Sequence, residues 1–173
     1  MPNSAKTRGD RGERDAVRFL EHHVPAPLLC SAPQRRLGLG RHLDTGDLDV
    51  FNDVCVQVKS YTNVGSALRL AAEGAEKQRT NAKLPYGVGM VVRPNEQKLD
   101  VARWLFVAIR WPTMLVDVDI VVNNSSDLLV ALSATKHKPM LAALTRGSSR
   151  TPLYVSWITR WVRDYQEALQ LTA

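Results

Sequence analysis

The chain has 173 residues, 45% of them hydrophobic, with a formal net charge of +6 and a pI of about 9.6. That length suits one domain, and the apolar content is enough for a core. No run of about eighteen apolar residues occurs, so no membrane-spanning helix is expected, and the polar, basic start MPNSAKTRGDRGERDAV does not read as a secretory leader. Cys30 and Cys55 are the two cysteines, both in apolar surroundings and without a Cys or His at metal-ligand spacing. They are expected to be free thiols in a reducing, cytosolic compartment. His22 and His23 are adjacent and point apart on a helix, which argues against a zinc site. The positive charge gathers at Lys6, Arg8, Arg11, Arg14 and Arg18, at Arg35, Arg36 and Arg41, and at Arg69, Lys77, Arg79 and Lys83. Such a surface attracts polyanions, nucleic acid among them.

Residues 1–9 read as a flexible basic arm. A helix is predicted from Asp10, where Asp10 and Glu13 have the spacing of a capping box. Ala16, Val17, Phe19, Leu20 and Val24 recur at helical spacing, and Pro25 and Pro27 end the run. A loop with Arg35, Arg36, Gly38 and Gly40 follows. DLDVF and VCVQVKSY each alternate polar and apolar residues around Asn52-Asp53, which predicts a β-hairpin over 47–60 with a two-residue turn. Residues 66–83 read as a helix. Residues 86–94 and 103–111 read as buried strands, with another strand at 113–122. A short helix is expected over 125–134, capped by Ser126 or Asp127. The last helix is expected over about 153–171, with Leu153, Trp157, Trp161 and Ala168 on one stripe. The order predicts an α/β or α+β domain with a mixed central sheet.

Strand side chains alternate faces. Asp47 and Asp49 therefore share one face of the first hairpin strand, and Gln57 and Lys59 share one face of the second. Glu13 lies on the inward stripe of the first helix. Carboxylates with an amide oxygen suit a hard cation such as Mg²⁺. An ammonium group beside them can orient a water or stabilise charge on a phosphate. Each residue also has a plainer assignment. Glu13 can cap its helix, Asp47 can serve the turn after Gly46, Gln57 can be a satisfied strand amide, and Lys59 can reach out past a sheet edge. Gln78 and Arg79 belong to a helix face that can be solvated and internally paired. The four tryptophans lie in apolar runs that suit a core or a dimer interface.

G-D-L-D-V followed by V-Q-V-K-S resembles the core signature of the PD-(D/E)XK nuclease superfamily, and helix–hairpin–helix–strand fits its core order over residues 10–95. The resemblance implies an α/β, restriction-endonuclease-like core over 10–111, its mixed central β-sheet flanked by helices. Residues 112–173 would be a C-terminal extension packed on it. It implies a DNA endonuclease dependent on Mg²⁺, with Mn²⁺ as substitute. Asp49 matches the metal-binding aspartate, Lys59 the catalytic lysine, and Glu13 the first-helix glutamate of members resembling Holliday junction resolvases. Gln57 stands where the second acid is usual, as in members resembling Mrr-type enzymes. The carbonyl of Val58 and the carboxylate of Asp47 complete the expected metal set. Arg11, Arg35, Arg36, Arg41, Ser60, Gln78 and Arg79 are the expected DNA contacts, with Tyr61 beside Ser60. A homodimer acting on branched or double-stranded DNA is implied, in the cytoplasm of a bacterial or phage-infected cell. A Mrr-like restriction enzyme or repair exonuclease, and a DNA-binding module with a decayed site, are the alternatives. Gln57 supports the last.

Overall fold

The computed structural model describes residues 4–36, 46–60, 63–93, 96–113, 115–135, 138–145 and 151–172. Helix α1 spans Ser4–His23, and strands β1, β2 and β3 span Gln34–Arg35, Leu48–Asp49 and Val54–Lys59. Helix α2 (Val64–Ala82) leads to β4 (Tyr86–Val92) and β5 (Trp104–Ala108). Strand β6 (Ile120–Val122), α3 (Ser125–Ala134), β7 (Leu141–Leu144), β8 (Leu153–Ser156) and α4 (Ile158–Thr172) complete the order. The described strands form one sheet in the order β1-β2-β3-β4-β5-β8-β7-β6. Strands β3 and β4 are parallel, as are β6 and β7, and the other pairs are antiparallel. The expected α/β architecture, a mixed sheet flanked by helices, is therefore present. Among the described residues no helix is long and apolar enough to cross a membrane.

Each face of the sheet carries its own apolar layer. Phe19 and Leu20 of α1 and Trp161, Val162 and Tyr165 of α4 pack with Leu48, Val54 and Val56. On the other face, Leu68, Ala71 and Ala72 of α2 and Leu128 and Leu132 of α3 pack with Val91, Leu105 and Val107. Alternation along β3 thus sends Val54, Val56 and Val58 toward α1, and Cys55, Gln57 and Lys59 toward α2. Parallel β3 and β4 need a crossover, and α2 supplies it. It lies very close to β4. A Cβ on Gly89 would come within 2.7 Å of the Ala71 backbone, and one on Gly87 within 2.7 Å of the Ala75 carbonyl oxygen.

Several boundaries depart from the sequence reading. Helix α1 begins at Ser4, so Ser4–Gly9 belong to it and Asp10 and Glu13 sit mid-helix rather than at a cap. The run Ala5, Lys6, Arg8 favours helix, and Gly9 is tolerated within it. The hairpin forms, with Leu48 opposite Val56, but β2 has only two residues. Val50 and Phe51 turn into the core, at 0% and 3% exposure, so the connection is wider than a two-residue turn. Helix α3 is capped by Asn124, whose side chain accepts the Asp127 N–H at 2.9 Å, not by Ser126 or Asp127. Residues 153–156 form a strand rather than the start of the last helix. Leu-Tyr-Val-Ser suits a pleated surface and fills the place between β5 and β7. Of the described residues in 113–122 only Ile120–Val122 is strand, and β7 answers no predicted element.

Trp104, Trp157 and Trp161 are at most 1% exposed and Trp111 is 5% exposed, so all four are core residues of this chain. Neither Trp157, just before the last helix, nor Trp161 within it is offered to a partner. Tyr165 of α4 instead ties that helix to the hairpin. Its hydroxyl donates to Asp53 Oδ1 in the β2–β3 connection. The Phe51 and Tyr86 rings each stand edge-on to it at 5.7 Å. Burial, and then the hydrogen bond to the Asp53 carboxylate, push the Tyr165 pKa well above its ordinary 10.0. In the unfolded chain the phenol ionises first. The contribution of Tyr165 to stability is therefore full below pH 10.0 and declines as pH rises past it. Tyr165→Phe is expected to lose about 1 kcal/mol at neutral pH and to show a shallower alkaline loss. Urea melts at neutral and alkaline pH check both, and parallel pH curves for the two proteins would refute the assignment.

Candidate functional site

Gly46 opens the site with φ at +117°, a backbone conformation that glycine adopts without strain. The Asp47 N–H donates to the Val56 carbonyl at 2.9 Å, and its carbonyl accepts the Arg36 N–H at 2.8 Å. With Leu48 opposite Val56, Asp47 falls opposite Gln57. Asp47 Oδ2 accepts the Val58 N–H at 2.8 Å and a second hydrogen bond from Gln57 Nε2. Gln57 Oε1 in turn accepts from Gln78 Nε2 on α2. The chain Asp47–Gln57–Gln78 thus crosses from β2 through β3 to α2. Gln57 is 4% exposed and Gln78 1% exposed.

Lys59, the last residue of β3, lies on the same face as Gln57, half-buried, with no carboxylate partner among the described residues. Asp49 is close in sequence but differently employed. Its carboxylate takes the Arg36 guanidinium at 3.3 Å, and its side chain is 40% exposed. The Cys30 thiol donates to its carbonyl at 3.4 Å. Cys30 and Cys55 are both thiols outside any disulfide, as expected.

Glu13 does not join this group. Arg35 of β1 holds it at 2.8 Å and holds Asp10 at 2.7 Å. Arg35 stands opposite Leu48, and so on the α1 face of the sheet, away from Asp47 and Gln57. Burial lowers the Arg35 pKa, but the hydrogen bonds and charges of Glu13 and Asp10 outweigh it and raise the pKa overall. The expected inward orientation of Glu13 is real, yet the neighbouring guanidinium claims it.

Val58 lies opposite Met90 in the β3–β4 ladder and gives its N–H to Asp47. Of the expected DNA contacts, Arg11 and Ser60 are exposed. Arg35 and Arg36 are engaged with Glu13, Asp10 and Asp49. Gln78 is buried under α2, so in this conformation it is a partner of Gln57 and not a surface contact. Arg79 is committed within α2. It grips Glu76 through two nitrogens at 2.9 and 2.8 Å and the Leu84 carbonyl at 3.0 Å. The hydrogen bond from Arg79, ahead of opposing burial, holds the Glu76 carboxyl below its ordinary pKa. Arg41 and Tyr61 lie outside the described residues.

The role of Gln78 toward Gln57 was open to sequence reasoning. Ala71, Ala75 and Gln78 follow one another at helical spacing, which turns Gln78 toward the sheet. The pairing of Arg36 with Asp49 had no comparable signal. Asp47, Asp49 and the Val58 carbonyl offer oxygen donors, the chemistry a Mg²⁺ ion prefers, whereas Gln57 turns its amide nitrogen to Asp47 and its oxygen to Gln78. Among the described residues no three His, Cys, Asp or Glu side chains cluster as a metal site. A cation here would depend on two carboxylates helped by a peptide oxygen. Comparison of the chain with protein-family models, curated proteins and solved structures gave no match.

Proposed function

We propose that this chain is a metal-dependent DNA endonuclease, a phosphodiester hydrolase that acts on branched DNA in the manner of a Holliday junction resolvase. The observation that carries this reading is the hairpin register. It sets Asp47 against Gln57, with Lys59 two residues further along the same face. The order α1, hairpin, α2, β4, with β3 and β4 parallel, supports the restriction-endonuclease-like core. The net charge of +6 supports a polyanionic substrate.

Asp49 and Asp47, with the Val58 carbonyl, would hold Mg²⁺, for which Mn²⁺ substitutes; the Gln57 oxygen is taken by Gln78 and is not a ligand in this conformation. When bound, the ion polarises a phosphoryl oxygen and lowers the pKa of water. The chain's own residues do the rest. Lys59 donates hydrogen bonds that orient the attacking water or meet charge on the scissile phosphate. Asp47 fixes the end of β3 that presents Lys59, through the Val58 N–H. Arg11 and Ser60 remain exposed for phosphate contacts, and Arg36 exchanges Asp49 for a phosphate when DNA arrives. Two symmetric cuts require two such sites, hence a homodimer.

A second reading is a nuclease-derived DNA-binding module. It is favoured by the closure of the Gln57 amide between Asp47 and Gln78 and by the arginines on Asp49 and Glu13. A labelled four-way junction, with duplex and single-strand controls, separates the two in Mg²⁺, Mn²⁺ or EDTA. Paired metal-dependent nicks in the junction are the expected result. Cutting of plain duplex would remove the resolvase part of the proposal. Tight, salt-sensitive binding without cleavage in either metal would establish the second reading.

A further inference from the structure

Gln57 and Gln78 bury two amides against each other between β3 and α2. Each amide brings donors and acceptors into an interior where an unsatisfied one is costly. Asp47 accounts for the arrangement. Its Oδ2 already accepts the Val58 N–H at 2.8 Å, and an ionised carboxylate has no hydrogen to give. The end of Gln57 that faces it must therefore be the NH₂. That choice turns the Gln57 carbonyl oxygen toward α2, where only a donor can meet it, and Gln78 presents its own NH₂ there. The orientation of both amides follows from donor and acceptor chemistry, the sound basis for telling amide oxygen from nitrogen. Gly74 makes the room, because a Cβ there would stand 3.0 Å from Gln57 Oε1 and 3.2 Å from its Cγ.

We infer that Gln78 is the positioning residue of this site: it holds the Gln57 amide with its nitrogen toward Asp47, so that the hairpin keeps its shape without a cation. A glutamate at 57 would set two carboxylates against each other on a buried face, which calls for a cation or a proton between them. The neutral amide, steered by Gln78, removes that need. The geometric part stands apart from any reaction, and its consequence for cleavage rests on the nuclease reading above.

Three variants of the full chain test it, read by ¹H–¹⁵N spectra of the side-chain amides, by melting in EDTA and in Mg²⁺, and by junction cleavage. In the wild type the Gln57 NH₂ signals are expected to be resolved and slow to exchange in EDTA. Gln78→Leu should collapse that protection and lower kcat about 10–100-fold with little change in KM, the range seen when a supporting hydrogen bond is lost. Gln78→Glu, close in shape but with no N–H to give, should disturb the Gln57 NH₂ signals as Gln78→Leu does. Gln57→Glu should melt below the wild type in EDTA and gain more from Mg²⁺ than the wild type does. If Gln78→Leu fails to fold, Gln78→Glu and Gln57→Glu carry the test. Unchanged Gln57 amide signals in Gln78→Leu, or a Gln57→Glu protein that melts like the wild type in EDTA without extra response to Mg²⁺, would overturn the inference. A wild type that cleaves nothing sinks the nuclease reading instead, and the spectra and melts still decide this one.

Discussion

Lys59→Ala is expected to slow cleavage by about 10²–10⁴-fold, the range for removing a group that moves or orients a proton in the transition state. The fold should survive the change. Lys59 is half-buried at the end of β3, and no ion pair among the described residues depends on it. Its backbone is held independently, opposite Val91 in the β3–β4 ladder and one residue beyond the Val58 N–H that Asp47 accepts. Melting temperature and junction affinity should therefore stay near wild type while the rate falls. If the ammonium also touches a phosphate, the salt dependence of binding should drop by about one unit of slope. Lys59→Arg should not rescue the rate. A planar guanidinium does not reproduce a compact ammonium, and it does not readily give up a proton. Cleavage by Lys59→Ala at the wild-type rate would remove Lys59 from the chemistry and take the residue-by-residue reading of V-Q-V-K-S with it.

The parts of the fold that were legible are those in which one local pattern repeats. Phe19 and Leu20 in α1, the alanine stripe of α2 and the run VGMVV in β4 each announce their element, and each is found within a few residues of its expected bounds, apart from the early start of α1. The hairpin was legible from its alternation, though not its two-residue turn, and its register brings Asp47 and Gln57 together. The tail was less so. In LAAL, residues 141–144, nothing distinguishes strand from helix, and only pairing with β6 and β8 makes it a strand. Leu153 and Trp157 mimic a helical stripe with Trp161, although the first two lie in and just after a strand. At the site, sequence spacing reports which residues share a face but not which arginine reaches which acid. Arg35 and Arg36 are neighbours in the chain, yet β1 sends one to Glu13 on the α1 face and the other to Asp49.

The largest loss of stability is expected at Arg160, far along the chain from the hairpin. Its side chain is 7% exposed and that of Asp164 is 3% exposed. Arg160 Nε donates to Asp164 Oδ2 at 2.6 Å, while its terminal nitrogens reach Asp119 Oδ2 at 3.1 Å, the Pro139 carbonyl at 3.3 Å and the Asp117 carbonyl at 3.0 Å. Trp111 Nε1 adds a hydrogen bond to the same Asp164 oxygen at 2.7 Å, and Asp119 Oδ2 also accepts the Leu141 N–H at 2.7 Å. One guanidinium thus gathers two connections, β5–β6 and α3–β7, onto α4. Arg160→Ala strips Asp164 Oδ2 of its cation, though Arg163 still holds Oδ1 at 2.9 Å, leaves two carbonyls without their donor, and should cost about 3 kcal/mol, the lower end for a broken buried pair. A loss that large is a substantial share of a domain's whole stability. Asp164→Leu combined with Arg160→Met should recover much of it, because an apolar pair of similar volume leaves no buried charge uncompensated, the Arg163 side chain being 46% exposed. Urea denaturation of the two single variants and the double variant makes the comparison. A double variant no more stable than Arg160→Ala would mean that the carbonyls of Asp117 and Pro139, and not the buried charge, set the cost. Any fall in cleavage by Arg160→Ala should vanish when it is assayed cold and well below its melting point. Arg160 acts on the proportion of folded molecules, whereas Lys59 acts on what each folded molecule does.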